Sequence, residues 1–174
     1  GFDIPLAINI FGSRERVSWA LGVEEWGDLE HRLERLLELA LGPPPKGLVS
    51  KLQALGEIVK VGRIGPKEVG SGLCQEVVLT DDASLDQFPI MKCWPEDAGH
   101  YITLPRVFTH DPNTGKRNVG MYRLQVFDAK TIGMHWQLHK GGMGHYRESA
   151  RAGRRMEIAV AVGTDPVLTY AATA

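Results

Sequence analysis

Apolar residues recur every three to four positions along the first third of the chain, which is the spacing of amphipathic helices. The pattern predicts a short helix over 14–21 and a longer one over 23–41, whose leucines form a single stripe that should be buried. Gly42 and the three prolines after it end this helix. A further helix is predicted over 48–55, and the β-rich run 4–11 is predicted to be a strand.

From residue 58 onward the pattern changes to short β-branched runs separated by glycine and proline, which is typical of strands and turns. The sequence Asp-Pro-Asn-Thr-Gly at 111–115 predicts a tight turn, because proline sets φ and glycine supplies a left-handed residue. These runs indicate an antiparallel β-sheet or partial barrel, preceded and flanked by helices. Strands are predicted over 57–61, 76–80, 101–109, 118–127, 131–139 and 155–162, with a helix around 145–152.

Composition narrows the class of protein without naming a function. The 174 residues are 43% hydrophobic and 24% charged, as in ordinary globular domains, and the net charge of −1 argues against nucleic acid or anionic lipid as a partner. No apolar run approaches the roughly 20 residues that a membrane span requires, and the N-terminal segment lacks the basic region of a signal peptide. Cys74 and Cys93 form no CxxC pair, so we expect two reduced, partly buried thiols in a cytoplasmic protein.

Candidate chemistry concentrates in residues 118–142, which read as a β-hairpin closed by a turn at 128–130. If Phe127 lies opposite Thr131, the polar residues of the two strands become neighbours about 5 Å apart. Asn118 has the wrong parity for this polar face unless Gly120 bends the strand. The expected cross-strand pairs are Arg123 with His135, Met121 with Gln137, and Val119 with His139.

These residue types suit metal and anion binding. Imidazole and amide oxygen are ligands for Mn²⁺ or Mg²⁺, but two such ligands rarely hold an ion, so a third must come from elsewhere. Arg123 offers a planar fork to a carboxylate or phosphate, and the glycines at 141 and 142 allow close backbone approach. Spacing alone leaves open that the histidines are ordinary strand residues and that Arg123 forms a structural salt bridge. The chain lacks a Walker loop, a GxGxxG fingerprint and a GxSxG elbow.

Three segments of the chain are specific when they are taken together: NVGMYR at 118–123 followed by Trp136 and HKGG at 139–142, PLAINIFGSRERVSWALGV at 5–23, and TLPRVFTHDPNTGKRNVGMYR at 103–123. Together they resemble the UbiD family of reversible decarboxylases, which use prenylated FMN. The resemblance extends over most of the chain. It implies an α+β fold with an antiparallel split β-barrel of the flavin-binding type flanked by helices. We therefore expect a single prenyl-FMN-binding domain, with 1–57 as a strand plus helical segment and 58–174 as the barrel core.

The resemblance also implies roles for individual residues. Asn118 and His139 would be ligands of the Mn²⁺ that holds the cofactor phosphate, with K⁺ as a further candidate ion. Arg123 would be catalytic, because the arginine at this position of the family binds the substrate carboxylate. The residues expected to bind prenylated FMN, or FMN, are Asn118, Met121, Tyr122, Arg123, His135, Trp136, Gln137, His139, Lys140 and Gly141.

The implied reaction is decarboxylation of aromatic or α,β-unsaturated carboxylic acids through the modified flavin. Family members are longer at both ends, and their third metal ligand and acid–base carboxylate lie downstream of the segment that YAATA at 170–174 resembles. We therefore expect this chain to be inactive alone, the full-length enzyme to be a homo-oligomer, and a flavin prenyltransferase to supply its cofactor. The alternatives are a non-catalytic flavin or small-molecule binding module and a split-barrel FMN oxidoreductase.

Overall fold

The computed structural model describes residues 1–43, 46–62 and 67–173. The chain forms two compact units, one of Gly1–Ala20 with Asp81–Ala174 and the other of Leu21–Thr80. The second unit contains helices and no strand among its described residues. The first three helices are α1 (Arg14–Leu21), α2 (Trp26–Leu41) and α3 (Leu48–Gly62).

The larger unit contains two three-stranded antiparallel sheets, with strand orders β1-β4-β5 and β3-β2-β6. Helix α4 packs against β2 and β3. The predicted mixture of helices with antiparallel sheet is confirmed, but the two sheets do not close into a barrel within the described part of the chain. The elements are β1 (His100–Ile102), β2 (Arg106–His110), β3 (Arg117–Met121), β4 (Leu124–Asp128), β5 (Thr131–Met134), α4 (Gly141–Arg151), β6 (Ala159–Ala161) and α5 (Pro166–Ala171).

Two predicted strands are each divided between the sheets. The run 101–109 breaks near the buried Pro105, which has no N–H to donate to a ladder, so β1 joins one sheet and β2 the other. The run 118–127 breaks at Tyr122 and Arg123, where the chain passes from β3 to β4. Both runs stay rich in apolar residues across the break, which is why the sequence pattern predicted single strands.

The predicted hairpin register holds for half of its length. Leu124 pairs with Met134 and Val126 with Ile132, as expected, but a bulge follows Val126 and places Asp128 opposite Thr131. The pairing of Phe127 with Thr131 is therefore wrong. Asp128 accepts a hydrogen bond from the Lys130 backbone N–H at 2.9 Å, and this local turn takes the place of the last regular pair.

The buried centre of the larger unit lies on β2, β4 and the helices packed on them. Val107 and Leu124 are fully buried, as is the side chain of Arg106. The guanidinium of Arg106 donates to the hydroxyl of Thr169 and, at 3.3 Å, to the carbonyl of Ala161. This buried cation thereby fixes α5, a helix that the sequence pattern did not predict, against β2 and β6.

Several other sequence expectations are wrong. Residues 4–11 and 76–80 form no strand, 57–61 belong to α3, and the strand expected over 155–162 is reduced to β6. The leucine stripe of α2 is exposed, with Leu33, Leu37 and Leu41 all more than half accessible. The described residues of this unit provide two long helices and no strand, which is too little structure to surround a helix. Both cysteines are exposed free thiols rather than partly buried ones.

None of the helices in the described ranges has the length and hydropathy needed to cross a membrane.

Candidate functional site

An open cavity of about 360 Å³ lies where β3, the loop before α4 and the C-terminal end of α5 meet. One edge is formed by β3, whose Asn118 and Gly120 share a face of the strand by alternation. The opposite edge is formed by the loop and the first residue of α4. The lining residues are Asn118, Val119, Gly120, Tyr122, Gln137, His139, Lys140, Gly141 and Ala172.

The aromatic rings of Tyr122, Trp136 and Tyr146 pack together beside the cavity. Tyr122 is 3% exposed, and its hydroxyl accepts a hydrogen bond from the Gly142 backbone N–H at 3.0 Å. Its ring meets the Trp136 ring edge to face, with centroids 5.0 Å apart, and Trp136 in turn stacks on Tyr146 at 6.1 Å. Such pairs fix ring orientation beyond simple burial. The start of α4 is thereby held at a fixed distance from β3.

The glycines at the start of α4 are required by close approach rather than by unusual backbone angles. A Cβ on Gly141 would collide with the carboxamide of Asn118, and a Cβ on Gly142 would lie 2.6 Å from the Trp136 ring. The Asn118 amide nitrogen is buried and has no hydrogen-bond partner among the described residues. Buried donors are nearly always paired, so this nitrogen at the cavity wall is available to a group that enters the cavity.

The electrostatics of this edge favour an anion. The first turn of a helix carries the positive end of its dipole. In α4 the Gly142 N–H is bonded to Tyr122, and the N–H groups of Met143 and Gly144 are bonded to the Lys140 carbonyl, so the Gly141 N–H has no hydrogen-bond partner among the described residues. Lys140 is the N-cap residue, and its ammonium group donates to the Thr173 carbonyl at 3.3 Å, which keeps a positive charge beside the cavity. The Gly141 N–H and this cation at a helix N-terminus suit an anion such as phosphate.

The structure brings six of the ten predicted site residues together at this cavity and leaves four outside it. The expected pairs of Met121 with Gln137 and Val119 with His139 do not form, because β3 pairs with β2 instead. The parity problem of Asn118 disappears for the same reason. Residues 135–140 form a loop rather than a strand. The predicted residues that line the cavity are Asn118, Tyr122, Gln137, His139, Lys140 and Gly141, and those that do not are Met121, Arg123, His135 and Trp136.

Of the four predicted residues that do not line the cavity, Met121 and Trp136 each contact a residue that does. Met121 donates its N–H to the Ala172 carbonyl at 3.1 Å, which holds the end of α5 at the rim. Trp136 lies behind Tyr122. His135 donates its backbone N–H to the Arg123 carbonyl at 3.0 Å. These two residues are therefore neighbours, as expected, although His135 lies just beyond the end of β5.

Arg123 points to a different set of partners. Its guanidinium donates to Asp97 at 2.8 Å and lies over the Tyr101 ring, 3.6 Å from the centroid. The hydrogen bond from Arg123 is the main cause that lowers the pKa of the Asp97 carboxyl below its ordinary value. Asp97 is therefore ionised at neutral pH and paired with the arginine.

The expected metal ligands Asn118 and His139 both line the cavity. No group of three or more His, Cys, Asp or Glu side chains suited to holding a metal occurs among the residues that the structure describes. Two ligands are too few for a tight divalent site.

Sequence reasoning missed Val119, Gly120 and Ala172 as lining residues, and Asp97 and Tyr101 as partners of Arg123. A glycine inside a strand pattern was a usable signal for Gly120, since it often marks close approach. The sequence around Asp97 does not indicate that it is a partner of Arg123, because that contact depends on how β1 and β4 pair.

Comparison with known proteins gives a consistent family. The model of the UbiD 3-octaprenyl-4-hydroxybenzoate carboxy-lyase Rift-related domain matches residues 67–174, and the model of the N-terminal domain of the same enzymes matches residues 1–36. An uncharacterized protein of Archaeoglobus fulgidus is 47% identical over 100% of this chain and 35% of its own length. One of Aquifex aeolicus is 43% identical over 100% of this chain and 35% of its own length. The chain thus spans about a third of these relatives.

Solved structures agree. The UbiD-class enzyme HmfF from Pelotomaculum thermopropionicum, solved in complex with prFMN, is 34% identical over 52% of this chain and 21% of its own, with a TM-score of 0.50. Vanillic acid decarboxylase from Sedimentibacter hydroxybenzoicus superimposes over 99% of this chain and 34% of its own with a TM-score of 0.76, and at 21% identity it shows the shared fold. The expected family is confirmed: the chain belongs to the UbiD family of carboxy-lyases.

Proposed function

We propose that this chain is the cofactor-binding domain of a UbiD-like decarboxylase that acts on aromatic or α,β-unsaturated carboxylic acids through prenylated FMN and Mn²⁺. Membership of the family supports the reaction class. The similar enzyme HmfF has been solved with prFMN and with FMN, which supports the cofactor. In the complete protein, the two sheets would be parts of a split barrel.

One observation carries the proposal: the cavity brings together the buried Asn118 amide nitrogen, which has no partner among the described residues, and the Lys140 cation at the start of α4. These features fit a flavin phosphate and its counter-ion. Lys140 and the Gly141 N–H would hold the phosphate, and Asn118 and His139 would contact the ion. The prenylated flavin, when bound, supplies an electron sink for the bond that releases CO₂.

The other residues would act around that cofactor. Tyr122 and Trp136 would keep the cavity wall rigid through their edge-to-face contact. Gln137 would add an amide at the rim. Met121 and His135 would hold the cavity edges through the backbone bonds described above, and Arg123 would bind the substrate carboxylate through its planar fork.

Binding of Mn²⁺ requires further ligands in addition to those that the described residues supply. Asn118 and His139 supply two contacts, so the phosphate and a further carboxylate must complete the coordination, and K⁺ is proposed as an additional ion. We therefore expect no turnover by this chain alone. For the complete protein we propose a homo-oligomer in the cytoplasm, supplied with cofactor by a flavin prenyltransferase. CO₂ release from the pure chain with prenylated FMN and Mn²⁺ would show that the chain is sufficient.

The test is a titration of the purified chain with FMN and then with prenylated FMN, each with and without Mn²⁺, followed by flavin fluorescence. Asn118→Ala and His139→Ala should each weaken binding about tenfold, since each removes a polar contact to a charged group. Asn113→Ala and His110→Ala are the matched controls, because both residues are exposed and absent from the cavity lining. Equal affinity in all four variants would contradict the proposed site.

The same preparation separates the rival functions. An FMN oxidoreductase would reduce bound flavin with NAD(P)H, so reduction by NAD(P)H would contradict the decarboxylase proposal. A non-catalytic binding module would bind flavin but give no reaction even when completed by the rest of the protein. A carboxylic acid substrate converted by the complete protein would exclude that module.

A further inference from the structure

Two residues without an assigned role, Asp97 and Tyr101, hold the guanidinium of Arg123. Asp97 lies at one edge of the guanidinium, at 2.8 Å, and the Tyr101 ring lies against its face, at 3.6 Å. The Arg123 side chain is nevertheless 44% exposed. Apart from the bond to Asp97, its N–H donors form no hydrogen bond with the described residues.

Asp97 is itself held in a rigid position. Its second carboxylate oxygen accepts a hydrogen bond from the Trp94 backbone N–H at 3.1 Å, and its own N–H donates to the Trp94 carbonyl at 3.1 Å. Its side chain is only 15% exposed. The carboxylate that meets Arg123 is thus part of a closed turn rather than the end of a mobile side chain.

Tyr101 is fixed by the sheet. It lies in β1 opposite Gln125 of β4, and its N–H donates to the Met91 carbonyl at 3.0 Å. An arginine over an aromatic face gains a cation–π interaction and loses rotation about its last bonds. The guanidinium therefore has one edge and one face occupied, with its remaining edge directed to solvent.

We propose that Asp97 is a positioning residue for Arg123, which together with Tyr101 holds the guanidinium so that its free edge receives the carboxylate of an aromatic acid. This inference rests on the proposed function and adds to it the residues that orient the substrate-binding arginine. A planar fork binds a carboxylate through two parallel bonds only when its orientation is right. Holding it in advance removes an ordering cost at binding.

Two opposing effects decide whether Asp97 strengthens or weakens the binding of a carboxylate to Arg123. Ordering one long side chain in advance is worth about a 2- to 10-fold change in dissociation constant. Repulsion between Asp97 and an incoming carboxylate, at roughly 7 Å in water, is worth about a 2- to 3-fold change in the other direction and is further reduced by salt. At physiological ionic strength the ordering effect is the larger.

The test combines a mobility measurement with a ligand titration. The Arg123 Nε–H signal, assigned by its loss in Arg123→Ala, should show a rigid side chain in the wild-type chain and a mobile one in Asp97→Ala and Tyr101→Leu. Sodium benzoate is then titrated at 0.15 M salt, a concentration at which exposed charges are largely screened. Asp97→Ala should weaken benzoate binding by about 1.3- to 7-fold, which is the ordering effect less the screened repulsion. Glu96→Ala, which removes a neighbouring exposed carboxylate with no contact to Arg123, should leave both readouts unchanged.

A double-mutant comparison shows whether Asp97 acts through Arg123. In the Arg123→Ala background, Asp97→Ala should have no further effect on benzoate binding. An Arg123 side chain that is equally mobile in wild type and Asp97→Ala would overturn the inference, as would tighter benzoate binding in Asp97→Ala. The mobility readout needs no ligand, so it fails or holds independently of the FMN titration that tests the proposed function.

Discussion

The hydroxyl of Tyr122 accepts a hydrogen bond from the backbone N–H of Gly142 across 3.0 Å, joining the end of β3 to the first turn of α4. Both groups are buried. This single contact sets the separation of the two edges of the cavity. It also fixes the Tyr122 side chain in the lining of the cavity.

Removing this hydroxyl should destabilise the fold. Tyr122→Phe leaves the Gly142 N–H buried without a partner, which costs about 1–3 kcal/mol of unfolding free energy. Urea denaturation measures the change. Tyr146→Phe is the matched control, because Tyr146 is exposed and its hydroxyl makes no hydrogen bond to the described residues. Equal stability of the two variants would mean that the Tyr122 bond does not hold α4.

Alanine at two neighbouring glycines of α4 should act in opposite directions. A Cβ at Gly142 would lie 2.6 Å from the Trp136 ring and 2.8 Å from the Tyr122 hydroxyl, whereas a Cβ at Gly144 meets nothing within 4 Å. Gly144→Ala should stabilise the protein by up to about 1 kcal/mol through helix propensity. Gly142→Ala should destabilise it by about 1–3 kcal/mol through overpacking.

Thermal unfolding of the two alanine variants side by side checks this prediction. Neither Gly142 nor Gly144 has a positive φ, so the backbone conformation accepts alanine equally well at both positions. A stabilised Gly142→Ala would show that the aromatic cluster yields without cost and that the close approach is not required.

The turn between β2 and β3 should contribute a pH-dependent part of stability. Asp111 accepts hydrogen bonds from the N–H groups of Asn113 and Thr114, at 2.8 and 3.1 Å, and the bond from Asn113 is the largest cause that lowers the pKa of its carboxyl below 3.8. A carboxyl with a lowered pKa in the folded state stabilises fully above its ordinary value. That contribution is lost as pH falls through the lowered pKa.

Variants separate the charge from the hydrogen bonds. Asp111→Asn keeps an oxygen acceptor and should retain most of the stability at pH 7 while losing the acid-dependent part. Asp111→Ala should lower the melting temperature at both pH 7 and pH 3. The measurement is thermal unfolding between pH 2 and pH 7, and an Asp111→Asn variant with the same acid dependence as wild type would contradict the assignment.

Features that depend on a few neighbouring residues were predictable from sequence. The turn at 111–115 forms as expected, with Gly115 at φ +71, because its chemistry is complete within five residues. The register of β4 with β5 was predicted correctly for Leu124 and Val126, but not beside the loop, where the bulge places Asp128 opposite Thr131. The segments quoted for the family resemblance also identified the family correctly.

Features that depend on distant partners were not predictable. Neither Tyr122 nor Arg123 is a turn-forming residue, so the local sequence does not indicate that the chain changes sheets there. The contact of Arg123 with Asp97, 26 positions away, exists only once β1 lies beside β4. The exposure of the α2 leucines likewise depends on what surrounds the helix rather than on its own pattern.

The central claim is that Asn118 and His139 hold the ion of a flavin phosphate in the cavity at the start of α4. The most direct measurement is the paramagnetic line broadening that Mn²⁺ causes in the ¹H–¹⁵N spectrum of the chain saturated with FMN. We predict that signals of Asn118, His139 and Gly141 broaden first, and that Mg²⁺ in excess reverses the effect. Broadening confined to exposed carboxylates elsewhere, with these three signals unaffected, would contradict the account.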